Sequence, residues 1–302
     1  MMAHSARIRL FSPHARRGAR CERAVSLLQG RCELDDNGVL TARGPHALTF
    51  LQGQLSQDVT RLAAGRPRLA GYHTPQGRVI AVLRLLPAAD EGVHCILPRE
   101  LVAPLAAMLR KFILRAKVTL ADDSEALRVV GIARDAQRTL ALEPAGAAPA
   151  ATDIPRAAWH ALDIAAGLPQ VYAATSGEFV AQMLNLDCVD GIAFDKGCYT
   201  GQEIIARAHY RGRVKRRMQR FVTRDAPGAV LAPGVAGVLA DGRACQIVDA
   251  APLADGRVEF LAVAPLAVPP RDAAEVTGST TAQQPAAVLD AEALPLPYAL
   301  PD

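Results

Sequence analysis

The sequence predicts an α+β protein with an all-β C-terminal unit, and three observations carry that assignment. Helix-period and strand-period segments alternate through the N-terminal and middle parts of the chain. After residue 217 the helical pattern gives way to β-type runs joined by Asp-Gly turns. With 302 residues, half of them apolar and 21% charged, the chain exceeds one ordinary core, so two or three packed units are expected.

Taken in order, residues 1–21 hold Arg7, Arg9, Arg16, Arg17 and Arg20 and no acid. That pattern is shared by basic arms and by organelle transit peptides, but no sustained amphipathic face accompanies it. Residues 1–32 are therefore expected to be a disordered basic arm. Asn37-Gly38 signals a turn before a strand over 39–43. Pro45 suits the first position of a helix, and Leu48, Leu51 and Leu55 share one face of it up to a stop near Ser56-Gln57-Asp58. A tight Pro75-Gln76-Gly77 turn feeds an apolar strand from Val79 to Leu86. A strand over 93–97 precedes an amphipathic helix marked by Leu101, Leu105, Met108, Leu109 and Phe112, and strands near 116–121 and 127–133 follow. Residues 142–156, rich in Ala and Pro, read as a linker. Helices are expected over 157–166 and 178–186. The turns at 240–243 and 254–257, both Ala-Asp-Gly-Arg, punctuate a small β-barrel or sandwich over 217–302.

Composition narrows the function classes. A net charge of +4 is too small to imply nucleic-acid binding by itself, so the placement of charge decides. The six cysteines, Cys21, Cys32, Cys95, Cys188, Cys198 and Cys245, form no C-x-x-C pair and no zinc or iron–sulfur spacing. Reduced thiols in a cytosol-like compartment are expected. No apolar run reaches the roughly 20 residues of a bilayer span.

The chemistry concentrates between Phe194 and Glu203. Thr200-Gly201-Gln202-Glu203 fits a capping box, and Ile204, Ile205 and Ala208 continue at helical spacing. Cys198 thus lies just before a helix N-terminus in a Gly-flanked loop, two residues from Lys196. Unpaired N–H groups and the helix dipole favour an anion there, and a lysine adds positive charge; both stabilise the nucleophilic thiolate. The alternative is a small buried cysteine in a turn. Cys188 and Cys245 read as core. Beyond the motif, Arg207, Arg211, Arg213, Lys215, Arg216, Arg217 and Arg220 precede the next acid, Asp225. This run could hold a polyanion or an acidic partner, or form a solvated helix end; Tyr210 is its one stacking aromatic.

Lys196-Gly197-Cys198-Tyr199-Thr200-Gly201-Gln202-Glu203 resembles the signature of the YgfZ family, relatives of the glycine-cleavage T-protein. Phe50 to Val59, Thr74 to Arg78, Gln182 to Asp187 and the closing Leu294-Pro295-Leu296-Pro297-Tyr298 resemble the same family, so the likeness spans residues 33–302. It implies a T-protein-like (GcvT-like) α+β fold, with α/β domains over 33–216 around a central channel and a C-terminal β-barrel over 217–302. It implies a bound tetrahydrofolate or derivative, and a role in assembling or repairing iron–sulfur enzymes, including those that thiolate tRNA. By the same resemblance, Cys198 is the reactive thiol and Lys196 its activator. Gln182, Asn185, Tyr199, Gln202, Glu203 and Arg207 are the expected folate contacts. Cys198 would ligate an iron–sulfur cluster only as a shared ligand, since one cysteine cannot hold a cluster alone. The expected partners are folate, iron–sulfur client enzymes and tRNA, without a membrane. The expected location is the bacterial cytoplasm, or the mitochondrial matrix if the arm is a transit peptide.

Two departures bear on activity. The T-protein hairpin carries two acids where this chain has Ala81 and Val82, so the acid–base work of aminomethyl transfer has no candidate there. A folate-dependent one-carbon transferase would need other acids, of which Asp187, Asp190 and Asp195 lie near the motif. The family's Arg four residues before the Gly of Gly167-Leu168-Pro169 is Asp163 here, which removes one expected contact to a folate glutamate tail.

Overall fold

The computed structural model describes residues 8–9, 29–64, 68–89, 91–134, 137–148, 152–212, 214–228, 230–266 and 287–301. Two antiparallel sheets share the first half of the chain. Strands β3 (Asn37–Arg43), β4 (Arg68–His73), β5 (Val79–Pro87), β6 (Val93–Pro98) and β7 (Thr119–Asp122) form one, in the order β4-β5-β6-β3-β7. Strands β1 (Ile8–Arg9), β2 (Gly30–Glu33), β8 (Leu127–Arg134) and β9 (Gln137–Pro144) form the other, in the order β1-β9-β8-β2. The chain leaves the four-stranded sheet after β2, builds the whole five-stranded sheet, and returns for β8. The two sheets are therefore interleaved in sequence.

Among the described residues, four helices accompany the sheets: α1 (Ala47–Gln52), α2 (Arg99–Arg110), α3 (Arg156–Ala165) and α4 (Gln202–Arg211). On α2, Leu101, Leu105 and Leu109 are buried as their spacing predicts, because positions three and four apart share a helix face. Phe112 lies past the helix end and is 48% exposed. Helix α1 stops at Gln52, earlier than expected, with Gly53 as its C-cap; Leu51 and Leu55 are both buried all the same. The expected helix over 178–186 reduces to a 3-10 turn at Ala181–Leu184, stopped by Asn185 at φ 55°. An asparagine tolerates this left-handed backbone better than most residues, and its side-chain amide donates to the Met218 carbonyl at 2.8 Å.

Strands β10 (Arg216–Thr223), β11 (Ala236–Leu239), β12 (Ala244–Pro252), β13 (Val258–Pro265), β14 (Ala287–Leu289) and β15 (Ala291–Leu294) make a six-stranded sheet ordered β14-β11-β12-β13-β10-β15. It curls into a nearly closed barrel, as the Asp-Gly punctuation predicts. Gly242 and Gly256 both take φ 86° in its turns. Helix α3 packs between this barrel, through β12 and β13, and β2 of the four-stranded sheet.

Of the basic arm expected over 1–32, Ile8–Arg9 pairs with β9 through Leu140 and Thr139, and Gly30–Glu33 pairs with β8. The rest of the arm, with Arg7, Arg16, Arg17, Arg20 and Cys21, lies outside the described residues, as does Arg213. Strand β9 reaches Pro144, inside the stretch read as a linker.

Candidate functional site

Cys198 sits in the loop that joins the 3-10 turn region to α4, and it is exposed. A side chain added at the adjacent Gly197 would meet nothing within 4 Å, so the thiol stands at an open surface. The helix that follows starts at Gly201, not through a Thr200 capping box. Gly201 is the N-cap at φ 83°, without a side-chain cap bond. A Cβ there would lie 2.6 Å from the Thr74 carbonyl oxygen. The loop is thus pressed onto the β4–β5 hairpin turn, and that close approach selects glycine at the helix start. The N-terminal N–H groups left without side-chain partners keep their positive field toward the loop.

Lys196 does different work from the thiol activation expected of it. Its ammonium donates to the carbonyl oxygens of Gln52 and Leu55 at 2.6 Å each and of Gln57 at 3.1 Å. It also lies 5.0 Å from the centroid of the Tyr199 ring. Three donors on three carbonyls leave none for sulfur, so Lys196 clamps the loop onto the end of α1. Burial pulls its pKa down to about 8. Behind Tyr199 lies His73, whose ring centroid is 6.1 Å from that of the tyrosine. Neither His73 nitrogen has a hydrogen-bond partner, and burial lowers its pKa to about 3. The imidazole is a neutral part of the wall.

The six residues expected to contact folate divide between buried side chains bonded within the protein and side chains on α4. Gln182 donates to the Ile205 carbonyl at 2.7 Å, and Asn185 bonds Met218 and the Tyr298 hydroxyl. Tyr199 is buried. The Gln182 amide oxygen is buried without a partner. Gln202 is partly exposed, whereas Glu203 and Arg207 are exposed on α4. The basic run divides as well. Arg217 forms a buried pair with Asp187, with N···O 2.9 Å and both side chains 4% exposed, and Arg220 pairs with Glu259 at 2.5 Å. Arg207, Arg211, Lys215 and Arg216 remain at the surface. Cys188 lies beside the Arg217 pair and burial, reinforced by Asp187, pushes its pKa up to about 12; Cys245 is buried, as expected. Among the described residues, no group of three or more His, Cys, Asp or Glu could hold a metal ion.

All three alternative acids near the motif are engaged: Asp187 with Arg217, Asp190 with Arg68 at 3.1 Å and Asp195 with Arg61 at 2.6 Å. Ala81 and Val82 are buried, apolar side chains of β5.

The structure brings together a polar cleft instead. Leu34, Asp36, Asn37, Arg84, Pro98, Trp159, His160, Asp163, Leu168, Gln170, Tyr172 and Asp249 line it, around a small recess of about 20 Å³ that is partly open to solvent. The five-stranded sheet supplies Arg84, α3 supplies Trp159, His160 and Asp163, and the barrel supplies Asp249. Asp163 accepts from Arg84 at 2.8 Å and from Arg138 at 2.5 Å. Burial works against its charge, but the two guanidiniums hold its pKa below the usual carboxylate value. The acid in place of the family's arginine is therefore compensated by two arginines from other strands. His160 pairs with Asp36 at 3.0 Å; burial opposes its charge, yet Asp36 raises its pKa on balance. Asp249 accepts from the Tyr172 hydroxyl at 3.1 Å, and burial raises its pKa to about 6. The Trp159 indole nitrogen is buried without a partner.

Sequence reasoning missed this cleft because its walls come from segments far apart in the chain. One signal was available: Arg84 interrupts the apolar run from Val79 to Leu86, and a charge inside a buried strand requires a partner.

The chain superposes on the glycine cleavage system aminomethyltransferase T of Bartonella henselae with a TM-score of 0.63, covering 82% of this chain and 81% of that one at 13% identity. The architecture is that of the T-protein class of folds. An uncharacterized protein of Haemophilus influenzae is 33% identical over 60% of this chain and 69% of its own length. The tRNA-modifying protein YgfZ of Serratia proteamaculans is also 33% identical, over 61% of this chain and 68% of its own, and its Escherichia coli counterpart is 32% identical. The chain belongs to the YgfZ family. No family model matches it.

Proposed function

We propose that this protein is a folate-binding accessory factor in tRNA modification, supporting the assembly or repair of iron–sulfur enzymes, with Cys198 as its reactive thiol. The polar cleft between the five-stranded sheet, α3 and the barrel supports this reading. Trp159 lies fully buried at its floor, with an indole N–H that no group of the protein accepts. The carboxylates of Asp36 and Asp249 can accept from the amino and ring N–H groups of a pterin, while His160 suits its acidic tail. The donor set fits a folate better than it fits a metal or a nucleotide triphosphate. When bound, such a folate supplies a carrier for a one-carbon unit. The relatives' name and the aminomethyltransferase fold support both the tRNA and folate parts, and a bacterial cytoplasmic location fits the same relatives. No helix among the described residues is long and apolar enough to cross a membrane.

The residues of the chain divide the work. Asp36, His160 and Asp249 bind and orient, while Trp159 and the Arg84–Asp163 pair form the floor beneath them. Lys196 and Gly201 hold the Cys198 loop at the start of α4, with the thiol exposed. The departures at Ala81 and Val82, together with three ion-paired aspartates, weigh against aminomethyl transfer.

Trp159 is the single tryptophan of the chain, so folate occupancy has a direct reporter. Titration with tetrahydrofolate is expected to quench its emission with a saturable curve, in the wild type and in Cys198→Ala alike. The same variant is expected to lose all support of an iron–sulfur client enzyme in cells lacking the native protein. Full complementation by Cys198→Ala would sink the thiol role, and an unresponsive Trp159 would sink the cleft assignment.

A further inference from the structure

The outer face of α4 joins two features that the cleft and the thiol leave unused. Phe194 and His209 stack, with ring centroids 3.8 Å apart and an angle of 19° between planes. Tyr210 closes the cluster edge-on, 4.7 Å from His209 and 6.1 Å from Phe194. Phe194 packs against the main core and anchors the group, whereas Tyr210 is 69% exposed. A large ring at that exposure, braced by two others, costs little further entropy to order when it binds something flat. Around it, Arg207 lies one turn from Arg211 and three residues from Tyr210, so the three side chains are neighbours on one face. Arg207, Arg211, Lys215 and Arg216 are all exposed, and none makes an ion pair among the described residues. The only acid of α4 is Glu203, in its first turn.

We infer that this face binds unpaired nucleotides of a nucleic-acid strand, with a base stacked on Tyr210 and the backbone phosphates on Arg207 and Arg211. Stacking platforms beside tracks of positive charge are how single strands are held without base readout. An acidic peptide would use the cations but would gain nothing from a braced aromatic ring. The sequence showed only Tyr210 as a stacking residue; folding adds Phe194 and His209 to it, and removes Arg217 and Arg220 into buried pairs. The surface stands apart from the folate and thiol readings and survives if either fails.

Fluorescence anisotropy of the full chain with a labelled single-stranded RNA 12-mer tests this, beside a DNA 12-mer of the same sequence and an acidic peptide. Oligonucleotide binding is expected to weaken about tenfold or more in Tyr210→Ala and to persist in Tyr210→Phe. Replacing Arg207 and Arg211 with Gln is expected to flatten the dependence of log affinity on log salt by about 1.4, the share of two phosphate contacts on a single strand. The ratio of RNA to DNA affinity identifies the strand. Absent oligonucleotide binding, equal binding by Tyr210→Ala, or equal competition by the acidic peptide overturns the inference. All three positions are exposed, so circular dichroism is expected to match the wild type and to keep each outcome interpretable.

Discussion

Cys198 and Asp249 show how differently single residues are placed in this molecule. The thiol owes its setting to backbone: an open loop, a glycine on either side of the motif and a helix start behind it. Asp249 owes its setting to burial. Its folded pKa near 6 lies above the value near 4 of an unfolded aspartate. A carboxyl shifted upward favours folding while it is protonated, and that contribution is lost as pH rises from about 4 through 6. Asp249→Asn keeps an acceptor for the Tyr172 hydroxyl and has no charge to bury. The variant is expected to match wild-type stability near pH 4 and to exceed it by up to about 3 kcal/mol at pH 7. Urea denaturation at the two pH values checks this, and a constant difference between them would refute the assignment.

At the scale of elements, the decisive junction is the one between the Cys198 loop, α4 and the β4–β5 hairpin. The sequence places a helix after Cys198 correctly, but a capping box is a local pattern that tertiary contact can override. Here the hairpin turn comes so close that only glycine fits at position 201, and the helix begins from a left-handed residue. Gly201→Ala meets both the unfavourable φ and the 2.6 Å approach to Thr74. It is expected to cost about 1–3 kcal/mol, read as a lowered thermal midpoint, whereas Gly197→Ala in open space is expected to change little. The expected 178–186 helix failed for a related reason. Asn185 turns left-handed to reach the Met218 backbone, a bond to a strand 33 residues away that periodicity does not register.

Across the whole molecule, Asp163 is the point where the units are tied together. It stands on α3, while Arg84 comes from the five-stranded sheet and Arg138 from the four-stranded one. Asp163→Ala leaves two buried guanidiniums without their shared carboxylate and is expected to destabilise the protein by about 3–5 kcal/mol. Chemical denaturation measures the loss, and Trp159 emission reports it locally, since the Arg138 guanidinium carbon lies 5.5 Å from the indole centroid. A variant as stable as the wild type would show that the sheets are held by apolar packing alone.

By itself the sequence determined the α+β class, the β-barrel end, the faces of α1 and α2, and the loop that carries Cys198. These are readable because they rest on periodicity, turn chemistry and an unbroken motif, all of which act within a few residues. Only the tertiary structure decided which charges are free. It paired Arg217 and Arg220 inside, turned Lys196 onto backbone carbonyls, and gathered Asp36, Arg84, His160, Asp163 and Asp249 into one cleft. Those choices depend on which segments meet when sheets interleave, and on the cost of leaving a buried charge alone, neither of which has a local signature.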